Sequence, residues 1–163
     1  LRGAPALDLL LPAEAVAELR ALRLSRGAVE LASEDMEALR ILAGVPRLGA
    51  DMDGSRIAIE SLPGLAISFE KGCYIGQEVV LRGTVRGQVQ RGLVQLALPP
   101  GAGPGTTLQS EGKEVGAVTS AAETPEGRVG LGVLRRAFWA PGTRLATANG
   151  EAVVRRALAV ERP

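Results

Sequence analysis

Apolar residues recur at helical spacing in the first part of the chain. Val16, Leu19 and Leu22 stand at intervals of three with charged residues between them. This pattern predicts an amphipathic helix with Pro12 at its first helical position and its end near Gly27.

A short strand over residues 28–31 and a second helix are predicted next. Ser33 is suited to an N-cap, and the acids Glu34 and Asp35 follow in the first turn, where the helix dipole favours them. The helical pattern ends at Gly44. The alternation of strand, helix and loop indicates an α+β or α/β arrangement and not a bundle.

The pattern changes at Arg91 to short β-rich runs separated by glycine and proline. The predicted strands cover residues 91–98, 106–109, 115–122, 128–134, 143–146 and 152–160. Strands with turn signals at this spacing predict a small antiparallel barrel or sandwich. We therefore expect an α+β protein with a boundary near Gln90, giving domains over residues 1–90 and 91–163.

Composition excludes several functional classes. The chain has 163 residues with 19 basic and 18 acidic side chains, so no global field collects polyanions. It contains no histidine, which excludes Ser-His-Asp and Cys-His nucleophile systems. Aromatic residues make up 2% of the chain, which argues against direct nucleic-acid binding by base stacking. The apolar run Leu7–Leu11 is too short and too interrupted to span a membrane, so the expected location is the cytoplasm.

One dense group of residues could carry chemistry, namely Lys71, Gly72, Cys73, Tyr74, Ile75, Gly76, Gln77 and Glu78. The glycines permit a tight backbone on both sides of Cys73, and a short helix over residues 77–81 is predicted after it. A nearby lysine and a helix N-terminus both favour the thiolate form, which makes Cys73 a candidate functional thiol. The alternative is a buried, inert cysteine.

Other candidate residues have structural explanations of equal or greater weight. Tyr74 and Phe69 could form a flat pocket wall or belong to the core. Arg82 and Arg86 share a helix face if the helix extends that far, which suits an anion or a solvated surface. Asp51, close to a second aspartate at position 53, could act as a base or bind an amine, but a loop or Asx-turn is the more common setting.

The run from Lys71 to Glu78, followed by two valines and Arg82, closely resembles the signature of the YgfZ family. These are folate-binding proteins related to the glycine cleavage T-protein, an aminomethyltransferase. Arg40-Ile41, Gly44 and Pro46 resemble the family's helix end. The resemblance implies half of a T-protein-like α/β folate-binding domain followed by a six-stranded antiparallel barrel.

The resemblance implies tetrahydrofolate or a derivative as cofactor, with Arg40, Tyr74, Glu78 and Arg82 as its contacts. It further implies an accessory role in iron–sulfur cluster assembly or repair, with effects on iron–sulfur-dependent tRNA modification. The expected partners are a reduced folate and iron–sulfur assembly or client proteins. One cysteine cannot hold a four-iron cluster, so Cys73 would be a ligand shared with a partner or a redox-sensitive thiol.

The sequence departs from the family pattern in three places. T-proteins usually carry an acid that helps to hold the pterin where this chain has Leu42, which argues against aminomethyl transfer. Leu39 stands where some YgfZ proteins place an aromatic residue. Family members also have a further stretch of chain before the matching part, so we expect a missing N-terminal half. Aminomethyl transfer and a purely structural scaffold remain the alternatives, and the sequence assigns no independent catalysis.

Overall fold

Helices occupy the first part of the structure and strands the second. The computed structural model describes residues 7–62, 66–68, 71–81, 83 and 89–158. Within these residues the helices are α1 (Ala13–Ser25), α2 (Ser33–Ala43), α3 (Ala58–Ser61) and α4 (Gln77–Leu81). The strands are β1 (Arg91–Ala97), β2 (Thr107–Ser110), β3 (Lys113–Thr124), β4 (Gly127–Arg135), β5 (Arg144–Thr147) and β6 (Gly150–Ala157).

The strands form a closed antiparallel barrel in the order β1-β4-β3-β2-β5-β6, and β6 returns to pair with β1. Closure removes the exposed edges that an open sheet would present. The predicted α+β class and the six strands predicted from residue 91 onward are confirmed, and the closed ring decides for a barrel over a sandwich. The division into two domains at residue 90 stays a prediction.

Leucines and valines from all sides fill the barrel interior, among them Val94, Leu96, Leu134, Leu145 and Val154. The interior has little room to spare where β4 passes β1. A Cβ on Gly130 would lie 2.4 Å from Leu98 Cδ1 and 2.7 Å from the Ser120 carbonyl oxygen. Glycine at this position lets the leucine reach the core.

Helix α2 covers the outside of the barrel over β3 and β4, and Leu93 of β1 also lies in the cluster under it. Ile41 is fully buried there against Leu93, Val129, Leu131 and Val133. Both faces of β1 and β4 are therefore buried, one inside the barrel and one under α2. This explains why these strands have nearly continuous apolar runs instead of a strict alternation.

Three local predictions in the first forty residues were wrong. Residues 28–31 form no strand, and Val29 is 83% exposed; the part of the chain that the structure describes offers these residues no strand to pair with. Pro12 is the N-cap of α1 and not its first helical residue. Ser33 is the first residue of α2, and the N-cap is Ala32. The Asp35 carboxylate reaches back to accept a hydrogen bond from the Ala32 N–H at 3.3 Å.

Candidate functional site

The loop from Lys71 to Gly76 holds the cysteine at the surface. Cys73 is exposed, which rejects the buried alternative. Gly76 has φ of 90°, a conformation that favours glycine, and helix α4 begins at the next residue as predicted. The Gln77 N–H donates to the Tyr74 carbonyl at 3.2 Å, which closes the turn. The thiol is therefore available to a reactant or to a metal from solution.

Tyr74 fixes the shape of this loop. Its hydroxyl donates to the Ser68 carbonyl at 3.2 Å, and the Ser68 hydroxyl accepts from the Lys71 N–H at 3.1 Å. The Lys71 ammonium lies 4.6 Å from the centre of the tyrosine ring, within cation–π range. The half-buried ring and the ammonium thus lie together, and the exposed Cys73 stands between these two residues in the sequence.

The other expected loop residues are only partly placed. Glu78 lies in the first turn of α4. Arg82, Arg86 and Phe69 lie outside the described residues, so their expected contacts stay predictions.

A second polar cluster joins α2 to the barrel, and Arg40 is at its centre. Its guanidinium has five N–H groups, and all five donate to protein acceptors. Nε and one Nη2 hydrogen go to Glu37 at 2.9 and 2.6 Å, and Nη2 also donates to the Ser120 hydroxyl at 2.8 Å. Nη1 donates to the Val45 carbonyl at 2.5 Å and to Asp51 at 2.7 Å.

These contacts correct the expectation that Arg40 binds a folate. A guanidinium with every donor used inside the protein has none to offer to a ligand. Arg40 instead anchors α2 to strand β3, through Ser120, and to the loop that follows α2. Leu42 likewise packs against the apolar cluster under α2 and presents no hydrogen-bond acceptor from its side chain.

Asp51 completes this cluster and is fully buried. One carboxylate oxygen accepts from the hydroxyls of Thr119 and Ser120 at 2.6 and 2.7 Å. The other accepts from Arg40 and from the Arg47 N–H at 3.0 Å. No local pattern indicates this role, because Asp51 and its hydroxyl partners are more than sixty positions apart in the chain.

The second aspartate of the pair behaves as the sequence predicts. Asp53 is exposed and accepts a hydrogen bond from the Ser55 N–H at 2.8 Å, which forms an Asx-turn. Hydrogen bonds from the Ser55 hydroxyl and backbone lower the pKa of Asp53. The two aspartates, only two positions apart, thus have unrelated roles.

The ion pairs also set the charge states of the cluster. The hydrogen bond from Arg40 lowers the pKa of Glu37, and the charges of Arg40 and Arg47 act in the same direction. Burial opposes the charged form of Arg40, but its bonds to Glu37 and Asp51 outweigh burial and raise its pKa. The pKa shifts of Glu37 and Arg40 therefore both favour the charged forms of these two side chains.

Side chains of the barrel also cap the last carbonyls of α2. The Gln95 amide donates to the carbonyls of Ile41 and Leu42 at 2.7 and 3.0 Å. Arg156 donates to the Leu42 carbonyl at 3.0 Å and to the Gln95 side chain at 3.2 Å. The Ile41 carbonyl also accepts from the Gly44 N–H at 3.0 Å, and the barrel supplies the further hydrogen bonds at this helix end.

A groove of about 590 Å³ opens beside this cluster, in the size range of small-molecule sites. The polar side chains along it belong to Glu37, Arg47, Arg56, Thr119 and Ser120. Arg47 is paired with Glu37 at 2.9 Å, and Arg56 donates to the Asp51 carbonyl at 3.1 Å. Each arginine keeps further N–H groups that an anionic ligand could engage.

The described residues contain neither a candidate metal-binding cluster nor a helix that could span a membrane. No group of three or more His, Cys, Asp or Glu side chains within them could hold a metal ion. Over the same part of the chain, no helix has the length and apolar character needed to cross a bilayer.

Comparison with known proteins identifies the fold. No protein-family model matches the chain. A chloroplastic protein of Arabidopsis thaliana, named as a transferase, is 32% identical over 130 residues, which are 78% of this chain and 30% of that protein. The crystal structure of glycine cleavage system aminomethyltransferase T from Bartonella henselae matches with a TM-score of 0.72 at 24% identity, over 89% of this chain and 44% of that one. The chain thus has the fold of part of aminomethyltransferase T, and it spans less than half the length of either protein.

Proposed function

We propose that this chain belongs to a folate-binding accessory protein of the aminomethyltransferase T fold, which serves the assembly or repair of iron–sulfur enzymes. The observation that carries the proposal is the exposed Cys73 thiol in the Lys71–Glu78 loop, beside Tyr74 and the Lys71 ammonium. The loop sequence resembles the YgfZ signature, and the fold is that of a protein related to that family.

The described residues fit a reduced folate in part. The half-buried Tyr74 offers an aromatic surface, and Lys71 offers a cation that suits the carboxylates of the folate tail. Arg40 and Leu42 offer nothing to the pterin. We therefore place the folate contacts of this chain in the Lys71–Glu78 loop, with Glu78 and Arg82 as further contacts.

Binding is favoured over aminomethyl transfer by the chemistry of the α2 end. Leu42 has no acceptor for the pterin N–H groups, and the neighbouring Arg40 is used entirely within the protein. Because the chain contains no histidine, general acid–base catalysis would need a carboxylate, lysine or tyrosine poised for it. The pKa shifts of Glu37 and Asp53 follow from partners within the protein.

Cys73 would act on the iron–sulfur side of this function. A four-iron cluster takes four thiolates, and this chain supplies one. Cys73 would therefore serve as one ligand of a cluster that a partner protein holds through the remaining ligands. Cys73→Ser tests this role, because an exposed serine keeps the size of the side chain but removes the soft sulfur ligand. In cells that depend on this gene, the variant should lower iron–sulfur-dependent tRNA modification without lowering the amount of protein. Normal modification would contradict the role.

Folate binding is tested by calorimetric titration with 5-formyltetrahydrofolate, a chemically stable reduced folate. We expect binding in the micromolar range, and Tyr74→Ala should weaken it by roughly tenfold through the loss of one aromatic contact. Lys113→Ala is the matched control, because Lys113 is exposed on the barrel. Equal affinity of Tyr74→Ala and the parent chain would place the folate elsewhere.

Aminomethyl transfer is the second candidate, and the fold shared with aminomethyltransferase T is the observation that favours it. Its test is turnover with an aminomethylated lipoyl carrier protein and tetrahydrofolate. Formation of methylenetetrahydrofolate above the background rate would establish it in place of the accessory role.

A further inference from the structure

The groove beside the Arg40–Asp51 cluster is formed by two separate parts of the chain. One side is the loop after α2, with Arg47 and Arg56, and the other is strand β3 with the turn before β2. We call it the α2–β3 groove. Much of its lining carries no long side chain, namely Gly49, Ala50, Pro104, Gly105, Ala117 and Ala121. These small residues leave its volume of about 590 Å³ open to a ligand.

Asp51 holds both arginines of the groove in place. Its carboxylate accepts from the Arg47 N–H at 3.0 Å, and its own N–H donates to the Arg47 carbonyl at 2.9 Å. The Arg56 guanidinium donates to the Asp51 carbonyl at 3.1 Å. Because Asp51 is fully buried, two cationic residues from one loop are attached to the same fixed point.

The formal charges around the groove do not balance. The cluster and the groove together contain three guanidinium groups and two carboxylates, those of Arg40, Arg47, Arg56, Glu37 and Asp51. Arg40 already pairs with both carboxylates, and Arg56 donates to a neutral carbonyl. Asp53 lies outside the lining, in its exposed Asx-turn, where solvent screens its charge. One positive charge is therefore in excess at the groove.

The two arginines also have unused hydrogen-bond donors. Of the five N–H groups on each guanidinium, the described residues engage one, on Glu37 for Arg47 and on the Asp51 carbonyl for Arg56. The Arg47 side chain is 57% exposed. One guanidinium fork matches the two oxygens of a carboxylate, whereas the three terminal oxygens of a phosphate monoester can accept from two forks.

We propose that the α2–β3 groove binds the phosphate group of a small organic phosphate, with Arg47 and Arg56 as its contacts. The organic part lies along the small residues of the groove. Thr119 lines the same groove and donates its hydroxyl hydrogen to Asp51, so its oxygen is left to accept a hydrogen bond from the ligand. The Lys71–Glu78 loop takes no part, so this inference goes beyond the proposed function and does not depend on it.

The test is calorimetric titration with phenyl phosphate at constant ionic strength and about pH 7.5, where a phosphate monoester is mainly a dianion. We expect a dissociation constant of roughly 0.1–1 mM. Benzoate, which carries a carboxylate on the same ring, should bind at least roughly tenfold more weakly, because it engages one fork.

Arg47→Gln and Arg56→Gln should each weaken phenyl phosphate binding by roughly tenfold. Arg56→Lys should weaken it as well, because lysine keeps the charge but loses the fork. Arg135→Gln is the matched control, since it removes the same charge from an exposed position on the barrel, and it should leave the affinity unchanged. Urea unfolding followed by Trp139 fluorescence checks that each variant is folded. Because the Arg47 side chain is largely exposed, Arg47→Gln keeps the test valid even where a change at Arg56 impairs folding.

Four results would each overturn the proposal. The first is no binding of phenyl phosphate up to about 10 mM. The second is an equal loss of affinity in Arg135→Gln, which would reflect net charge alone, and the third is equal affinity for benzoate. The fourth is displacement of phenyl phosphate by 5-formyltetrahydrofolate, which would make the groove part of a folate site. Tyr74→Ala separates the two proposals, because it should weaken folate binding and leave phenyl phosphate binding unchanged.

Discussion

Replacing Asp51 by alanine should loosen α2 from the barrel. The change removes a fully buried carboxylate that accepts four hydrogen bonds. It leaves the Ser120 hydroxyl without its acceptor and Arg40 with one counter-ion in place of two. Breaking a buried ion pair typically costs about 3–5 kcal/mol. We expect about 3 kcal/mol here, because Glu37 still neutralises Arg40, and a fall in Tm of roughly 6–12 °C.

Urea unfolding followed by two probes measures this effect. Trp139 is the only tryptophan, is buried in the barrel core and donates its indole N–H to the Leu134 carbonyl at 2.9 Å. Its fluorescence reports on the barrel, whereas far-ultraviolet circular dichroism also reports on the helices. In Asp51→Ala the helical signal should be lost at lower urea than the tryptophan signal, because the cluster joins α2 to an otherwise intact barrel.

The control and the refuting result are both specific. Asp53→Ala removes an exposed carboxylate two positions away and should leave both transitions unchanged. Arg40→Met combined with Asp51→Leu should cost less than Asp51→Ala alone, because no buried charge is then left without its partner. If Asp51→Ala lowers the free energy of unfolding by less than about 1 kcal/mol, which is typical of a surface ion pair, the cluster does not hold α2 on the barrel.

Three further predictions concern other parts of the structure. Arg40 lowers the pKa of Glu37 in the folded state from the ordinary value of 4.5, so the stability that this carboxylate contributes is complete above pH 4.5 and is lost as the pH falls further. Glu37→Gln should therefore make the urea midpoint depend less steeply on pH below 4.5. An unchanged slope would contradict this prediction. Gly130→Ala should lower the free energy of unfolding in urea by about 1–3 kcal/mol, because the added Cβ would overlap Leu98 and the Ser120 carbonyl. An unchanged free energy of unfolding would show that strand β4 shifts to make room for the methyl group. Iodoacetamide should label Cys73 in the native chain within roughly threefold of its rate in urea, whereas protection of tenfold or more would mean that the thiol is covered.

The barrel could be predicted from the sequence because its signals are local. Each strand is a short apolar run bounded by turn residues, as where Pro99 to Gly105 separate β1 from β2. Helix α4 was likewise predicted from Gly76 and the run after it. Residues 28–31 have the same alternating pattern as a strand, but a strand also requires a neighbour to pair with. No such neighbour is present in the described part of the chain, so the local pattern was misleading.

The contacts of Arg40 and Asp51 could not be predicted because they depend on packing. Arg40 donates a hydrogen bond to Ser120, which lies eighty positions later in the chain. No local sequence pattern indicates which acceptors a guanidinium will contact in the folded protein. The resemblance to a folate-binding family pointed to Arg40 as a ligand contact, whereas the structure uses its donors to hold α2. The sequence also left open whether Cys73 is a functional thiol or a buried one, and its exposure excludes only the buried alternative.

Helix α2 connects the barrel to a groove of about 670 Å³ that is lined by residues of α1 and by Met36. Ile41 is buried against the barrel, whereas Met36 lies one and a half turns earlier, 42% exposed, in the lining of the apolar groove. The bonds of Arg40 with Asp51 and Ser120 fix the helix against the barrel between these two contacts. The position of Met36 in the groove therefore depends on a cluster at the other end of the helix. A change at Asp51 should alter the groove as well as the stability, because the barrel holds α2 in place through this cluster.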